Sequence, residues 1–204
     1  IFAGLIFSVG LFAGILALIE TGRRIGARRL AEEGESASKG SGAVVGAIFA
    51  LLGLVLAFLF SGALTRFDAR RQLVVEEAND IGTAWLRVDL LPAGAQPALR
   101  DLFRRYVDSR LEVYRMGPHP DAVSAALARS GKLQGEIWNQ AVAAGRMDGA
   151  PPSAPVLLLP ALNQMIDITT TRTMATRMHP PFAIFAMLFA LALAAALLAG
   201  YGMA

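Results

Sequence analysis

Three long apolar runs punctuate the chain, at 1–19, 40–65 and 180–204, and none of them contains a charged side chain. A helix rises about 1.5 Å per residue, so roughly 20 apolar residues cross a hydrocarbon core of about 30 Å. The pattern therefore predicts three transmembrane helices over these ranges. The second is long enough to tilt or to project beyond the bilayer. The first is not a signal peptide: no basic segment precedes it, no A-x-A site follows it, and Glu20 and a group of arginines come directly after it, as at an interface. The chain begins with Ile1 and stops at Ala204 inside an apolar run. Both ends are therefore expected to be trimmed, with a fourth span following the third.

The intervening segments are polar. Residues 20–39 predict a hydrophilic hairpin, with Arg23, Arg24, Arg28 and Arg29 first, then Glu32, Glu33 and Glu35, then a Ser/Gly stretch. Residues 66–179 predict a helical extramembrane domain. Leu73, Val74, Ala78, Ile81, Trp85 and Val88 recur at three- and four-residue steps, and no break separates them from the second span. Leu91-Pro92 ends that helix. A second amphipathic helix carries Leu99, Leu102, Phe103, Tyr106, Val107, Leu111 and Tyr114, and Gly117-Pro118-His119-Pro120 breaks it. A third helix follows Asp121, with a possible interruption at Gly131, and a fourth over 156–177 contains Pro160. No strand-like alternation is present. The predicted fold is an all-α membrane protein with three visible spans and a helical domain between spans 2 and 3.

Composition narrows the function. Hydrophobic residues make up 55%, charged residues 17%, and the mean hydropathy is +0.51. Soluble domains carry about a quarter charged residues, so an ordinary soluble enzyme is excluded. The absence of cysteine excludes disulfides, cysteine-ligated metals and a cysteine nucleophile. The 19 Lys and Arg are dispersed among 16 Asp and Glu, for a net charge of +3, with no basic block of the kind that grips nucleic acid. No HExxH, Walker A or dinucleotide glycine motif occurs. His119 and His179 each sit beside a proline at a helix break and read as helix-end polar residues. No catalytic activity, cofactor or metal is expected.

Gly10-x3-Gly14 in the first span and Gly42-x3-Gly46 in the second offer faces for close helix packing, as does the Ala-rich third span. Three further constellations could carry function. Leu52, Leu56 and Phe60 lie on one face of the second span; they would form a hydrophobic constriction if that face lined a pore, and ordinary packing is the simpler reading of the spacing. Arg66, Arg70 and Arg71 follow the span, and could meet an anion or lipid phosphate or act as a juxtamembrane anchor with surface ion pairs. Asn163, Asp167 and Thr170 lie in a threonine-rich helix that suits either a wet vestibule wall or helix–helix hydrogen bonds.

Several of these residues match known patterns. Leu52-x3-Leu56-x3-Phe60 is similar to the neck of bestrophin anion channels. The run Arg66-Phe67-Asp68-Ala69-Arg70-Arg71-Gln72 resembles the basic stretch after that neck in bacterial bestrophins, with one residue fewer, which turns a helix by about 100°. The stretch Glu77-Ala78-Asn79-Asp80-Ile81-Gly82-Thr83-Ala84 resembles a signature of the bacterial bestrophin-like domain family. Leu90-Leu91-Pro92 and Leu162-Asn163-Gln164-Met165-Ile166-Asp167 match that family too. The likeness to this family covers most of the chain, and that to true bestrophins only the region 52–72.

The resemblance implies a four-span subunit of a homo-oligomer in the bacterial inner membrane. It implies an axial pathway for chloride or other small anions, constricted by Leu52, Leu56 and Phe60, with Arg66, Arg70 and Arg71 lending positive potential to its inner mouth. Lys and Arg divide evenly between the two sides of the spans, so orientation follows the resemblance, which implies a cytoplasmic 66–179 domain. The competing reading is a non-conducting scaffold or sensor whose helical domain binds a partner or ligand.

Overall fold

A computed structural model describes residues 2–33, 41–115 and 120–203, and within these the chain is helical without strands. Six α-helices follow in order: α1 (Phe2–Glu33), α2 (Ser41–Arg87), α3 (Gln96–Arg115), α4 (Pro120–Ala144), α5 (Ser153–Arg177) and α6 (Phe182–Gly202). Three helical stretches are long and apolar enough to cross a membrane, which implies a lipid bilayer environment. The chain divides into two units, residues 1–66 with 178–204 and residues 67–177.

In the first unit α1 does not stop at Ile19. It continues to Glu33, so the hairpin expected over 20–39 is helical in its first two-thirds, and residues 34–40 lie outside the described residues. Nothing in 20–33 breaks a helix, and Glu20 ties the next turn by accepting hydrogen bonds from Arg23 Nε at 2.9 Å and Arg24 Nε at 2.7 Å. Helix α6 packs along α1 in parallel: Phe7 meets Phe189 edge-on at 5.0 Å, and Ile19 meets Gly200. Parallel first and third spans are what a chain crossing a membrane three times requires.

The contact is closest at two glycines that the sequence reading did not single out. A Cβ on Gly22 would lie 2.0 Å from the Leu197 carbonyl oxygen, and one on Gly200 would lie 1.9 Å from the Ile19 carbonyl oxygen. Only hydrogen fits there. Gly22 and Gly26, four residues apart, are both buried, as are Ala195 and Ala196 on α6. Within the chain, the pairs read from the sequence make no such approach. A Cβ on Gly10, Gly42 or Gly46 would meet nothing within 4 Å, and one on Gly14 would only touch Leu193 at 3.8 Å. Sequence spacing marks where close approach is permitted, whereas the partner's position decides where it happens.

In the second unit, the last turns of α2 pack with α3, α4 and α5 around Ala84, Val88, Leu91, Leu99, Phe103, Tyr106, Leu133, Ile137, Leu158, Leu162 and Met165. A 3₁₀ turn, Val88–Leu90, closes α2, and Leu91 becomes extended (φ −82°, ψ 158°) as the following Pro92 requires. Gln96 Nε2 donates to the Leu91 carbonyl at 2.8 Å and fixes the corner. Helix α4 runs through Gly131 without interruption. Pro160 lies inside α5, where it leaves a carbonyl of the preceding turn without its helical donor. In the same turn, Arg87 Nη1 donates to the Leu157 carbonyl at 2.5 Å. Gly149 takes φ +82°, which glycine alone adopts without strain, in the loop between α4 and α5.

Candidate functional site

Helix α2 is one rod of 47 residues whose two ends have different surroundings. Along its apolar half, one stripe is shielded: Val45, Ile48, Leu52, Val55 and Leu59, at steps of three and four. The rest is bare, with Phe49, Leu54, Phe58 and Leu64 all exposed. Among the described residues neither α1 nor α6 packs extensively on it, although they pack closely on each other. The three residues singled out at four-residue spacing fall into two settings. Leu52 belongs to the shielded stripe, whereas Leu56 is 48% exposed and Phe60 73% exposed. A step of four advances a helix by about 40° beyond a full turn, which is enough to carry the line from one face to the next.

The three arginines after the span take separate paths. The Arg66 guanidinium folds back toward Gly62, where Nη1 would lie 3.2 Å from an added Cβ. Arg70 reaches the end of α5, donating from Nε to the Ala175 carbonyl at 3.0 Å and from Nη2 to the Thr176 carbonyl at 3.3 Å. It thereby caps helix carbonyls that carry partial negative charge. Arg71 lies over the Phe67 ring at 5.7 Å. These contacts are local and do not gather the three groups around one point.

Asn163, Asp167 and Thr170 all lie on exposed positions of α5. The neighbouring threonines reconcile themselves with the helix by bonding backward: Thr169 to the Ile166 carbonyl at 2.7 Å, Thr173 to Thr169 at 2.8 Å and Thr171 to Asp167 at 3.2 Å. Of the two histidines, His179 is exposed and His119 lies outside the described residues.

The strongest polar constellation is one that the sequence reading did not assemble. Glu77 on α2 is 4% exposed and holds two guanidiniums. Arg110 Nε on α3 donates to its Oε1 at 2.6 Å, and Arg172 Nη1 on α5 pairs with its Oε2. Arg110 is itself 6% exposed, and burial pulls the Arg172 pKa down from its ordinary value. Beside this triad, Gln134 on α4 donates from Nε2 to Tyr106 Oη and to Thr169 Oγ1, each at 3.2 Å. Burial pushes the Tyr106 phenol up to about 12. Ser109 and Ser130 share a further buried hydroxyl contact. A sequence signal did exist. Glu77 falls in the stripe Leu73, Glu77, Ile81, Ala84, Val88, and Arg110 in the stripe Leu99, Phe103, Tyr106, Arg110. A charge at a core register predicts a buried partner, although not which one.

The triad and its hydrogen-bonded neighbours join α2 to α3 and α5 through charge-assisted bonds. The arrangement holds the rod in the helical unit and offers no nucleophile–base pair. Comparison with known proteins agrees with the residues that suggested a family. The family model of the Bestrophin-like domain matches residues 9–203, and the chain belongs to that family. No curated protein and no solved structure matches it.

Proposed function

We propose that this member of the Bestrophin-like domain family is a homo-oligomeric channel of the bacterial inner membrane that conducts anions, chloride among them, along an axis lined by the apolar half of α2. The observation that carries this reading is the contrast among the spans. α1 and α6 meet along one face through glycine-close packing, with Leu5, Ile6 and Phe12 exposed on the other side of α1, whereas among the described residues neither helix packs extensively on the apolar half of α2. A bare helix of this kind is suited to meet copies of itself. Leu56 and Phe60, exposed on the same flank, are the side chains to constrict such an axis by dewetting, with Leu52 set back against the chain. Arg66, Arg70 and Arg71 then add positive potential at the mouth through their field rather than through a shared binding site. Residues 66–179 are cytoplasmic in this proposal, and no catalytic step is involved.

The test is purified protein in planar bilayers. Chloride-selective current is expected, with Phe60→Ala raising conductance or weakening closure. Silent bilayers from a protein shown to be inserted and oligomeric would overturn the channel reading in favour of a scaffold or sensor. A reporter fused after Pro152 decides the side on which the helical domain lies.

A further inference from the structure

Within the helical unit, a cavity of about 540 Å³ lies between the last turns of α2 and the middle of α3. Small-molecule sites are commonly spaces of roughly 300–1,000 Å³ with mainly apolar walls and a few placed polar groups. Here the walls are apolar along Ile81 and Trp85 of α2 and Phe103 and Val107 of α3, and the charged groups on them are Arg104 and Asp108. These two lie one turn apart on α3, a spacing at which opposite charges are close enough to pair. They do not pair. The Arg104 guanidinium lies over the Trp85 ring, 5.7 Å from its centre, and Asp108 makes no ion pair or hydrogen bond among the described residues. A cation and an anion therefore border one apolar space without neutralising each other. Both residues are exposed, so a molecule entering the cavity reaches them. A simple anion would satisfy Arg104 and be opposed by Asp108, and a simple cation the reverse. A zwitterion satisfies both.

We propose that this cavity binds a free α-amino acid with a large apolar side chain, its carboxylate at Arg104, its ammonium at Asp108 and its side chain against Ile81, Trp85, Phe103 and Val107. The planar guanidinium matches carboxylate oxygens in geometry and charge. Gly82, on the same wall, carries no side chain to fill the space. The site is separate from the channel reading and stands or falls without it.

The experiment is calorimetric titration of L-phenylalanine into the full chain in lipid nanodiscs. The comparators are 3-phenylpropanoate, 2-phenylethylamine and glycine, which lack the ammonium, the carboxylate and the side chain in turn. One L-phenylalanine per chain, saturable, is expected. Each comparator should bind more weakly by about tenfold or more, as the loss of a charge-assisted hydrogen bond or of a buried side chain entails. Asp108→Asn removes an exposed carboxylate that has no partner among the described residues, so the melting temperature should hold. That variant should bind L-phenylalanine about tenfold more weakly and leave 3-phenylpropanoate unaffected. Gly82→Leu fills the cavity from its wall: a Cβ there meets nothing within 4 Å, and leucine is the better helix former. It should keep or raise the melting temperature while weakening L-phenylalanine by about tenfold or more. The proposal is overturned if the native chain shows no saturable heat with L-phenylalanine. It is also overturned if 3-phenylpropanoate or 2-phenylethylamine binds as tightly, or if folded Asp108→Asn or Gly82→Leu binds L-phenylalanine as before.

Discussion

The α1–α6 pair and the helical unit 67–177 are both built from helices, yet they cohere by opposite means. In α1–α6 the closest contact is backbone on backbone, at Gly22 and Gly200, with alanines around it. In the helical unit the contact is made by the largest side chains available, with Tyr106, Phe103, Leu99, Ile137 and Leu162 fully buried. The solvent explains the difference. In lipid, burying a leucine against protein gains little over burying it against acyl chains, so association relies on close fit and small residues. In water, removing apolar area drives association directly, and large side chains bring the most area. The helical unit also encloses an ion triad, in which one buried carboxylate serves two guanidiniums.

The comparison can be broken most severely at the triad. Glu77→Ala leaves Arg110 and Arg172 buried without their carboxylate, and loss of one member of a buried ion pair costs about 3–5 kcal/mol. Thermal unfolding in detergent should register a large fall or complete loss of the folded unit. Glu77→Gln, which keeps the shape and one acceptor oxygen, should fall less.

The membrane pair should break at its glycines. Gly200→Ala drives a methyl group into the Ile19 carbonyl, an overpacking expected to cost about 1–3 kcal/mol. Gly14→Ala, with only an ordinary contact to Leu193, should be neutral or slightly stabilising. Equal effects of the two variants on the melting temperature would remove the case for a backbone-close contact.

The smallest effect sharpens the picture of the core. Tyr106 has a phenol pKa raised from about 10 to about 12 by burial. A raised folded pKa means that the folded state keeps its proton longer than the unfolded state. Stability tied to that proton is whole below pH 10 and is lost as the pH climbs toward 12, by roughly 2–3 kcal/mol. Tyr106→Phe should therefore flatten the alkaline limb of the stability profile. At neutral pH it should cost only about 1 kcal/mol, the worth of the hydrogen bond from Gln134.

Much of this molecule is legible in its pattern of residues. Charge-free runs long enough to cross a bilayer mark the apolar helices, because hydropathy and length are local properties that need no partner. The step of three and four residues marks α3 to α5, and Leu91-Pro92 marks the end of α2, for the same reason. The Glu77–Ala84 and Leu162–Asp167 stretches were sufficient to suggest the family to which the chain belongs.

Tertiary structure decided the rest, and in each case the missing quantity was a partner. Gly22 meets Leu197 and Gly200 meets Ile19 only because α1 and α6 run parallel, whereas Gly10 and Gly46 have the same chemistry and face open space within the chain. Leu52 separates from Leu56 and Phe60 because a four-residue step drifts around the helix and the neighbours cover only one stripe. Glu77, Arg110 and Arg172 each betray themselves as charges at core registers, yet nothing along the chain states that one carboxylate serves both arginines. The sequence by itself determined which segments are helices and which of their faces must be covered, since both follow from periodicity and solvent transfer. Only the tertiary structure decided what covers them, because close contact, charge pairing and cavity shape are properties of two or more helices at once.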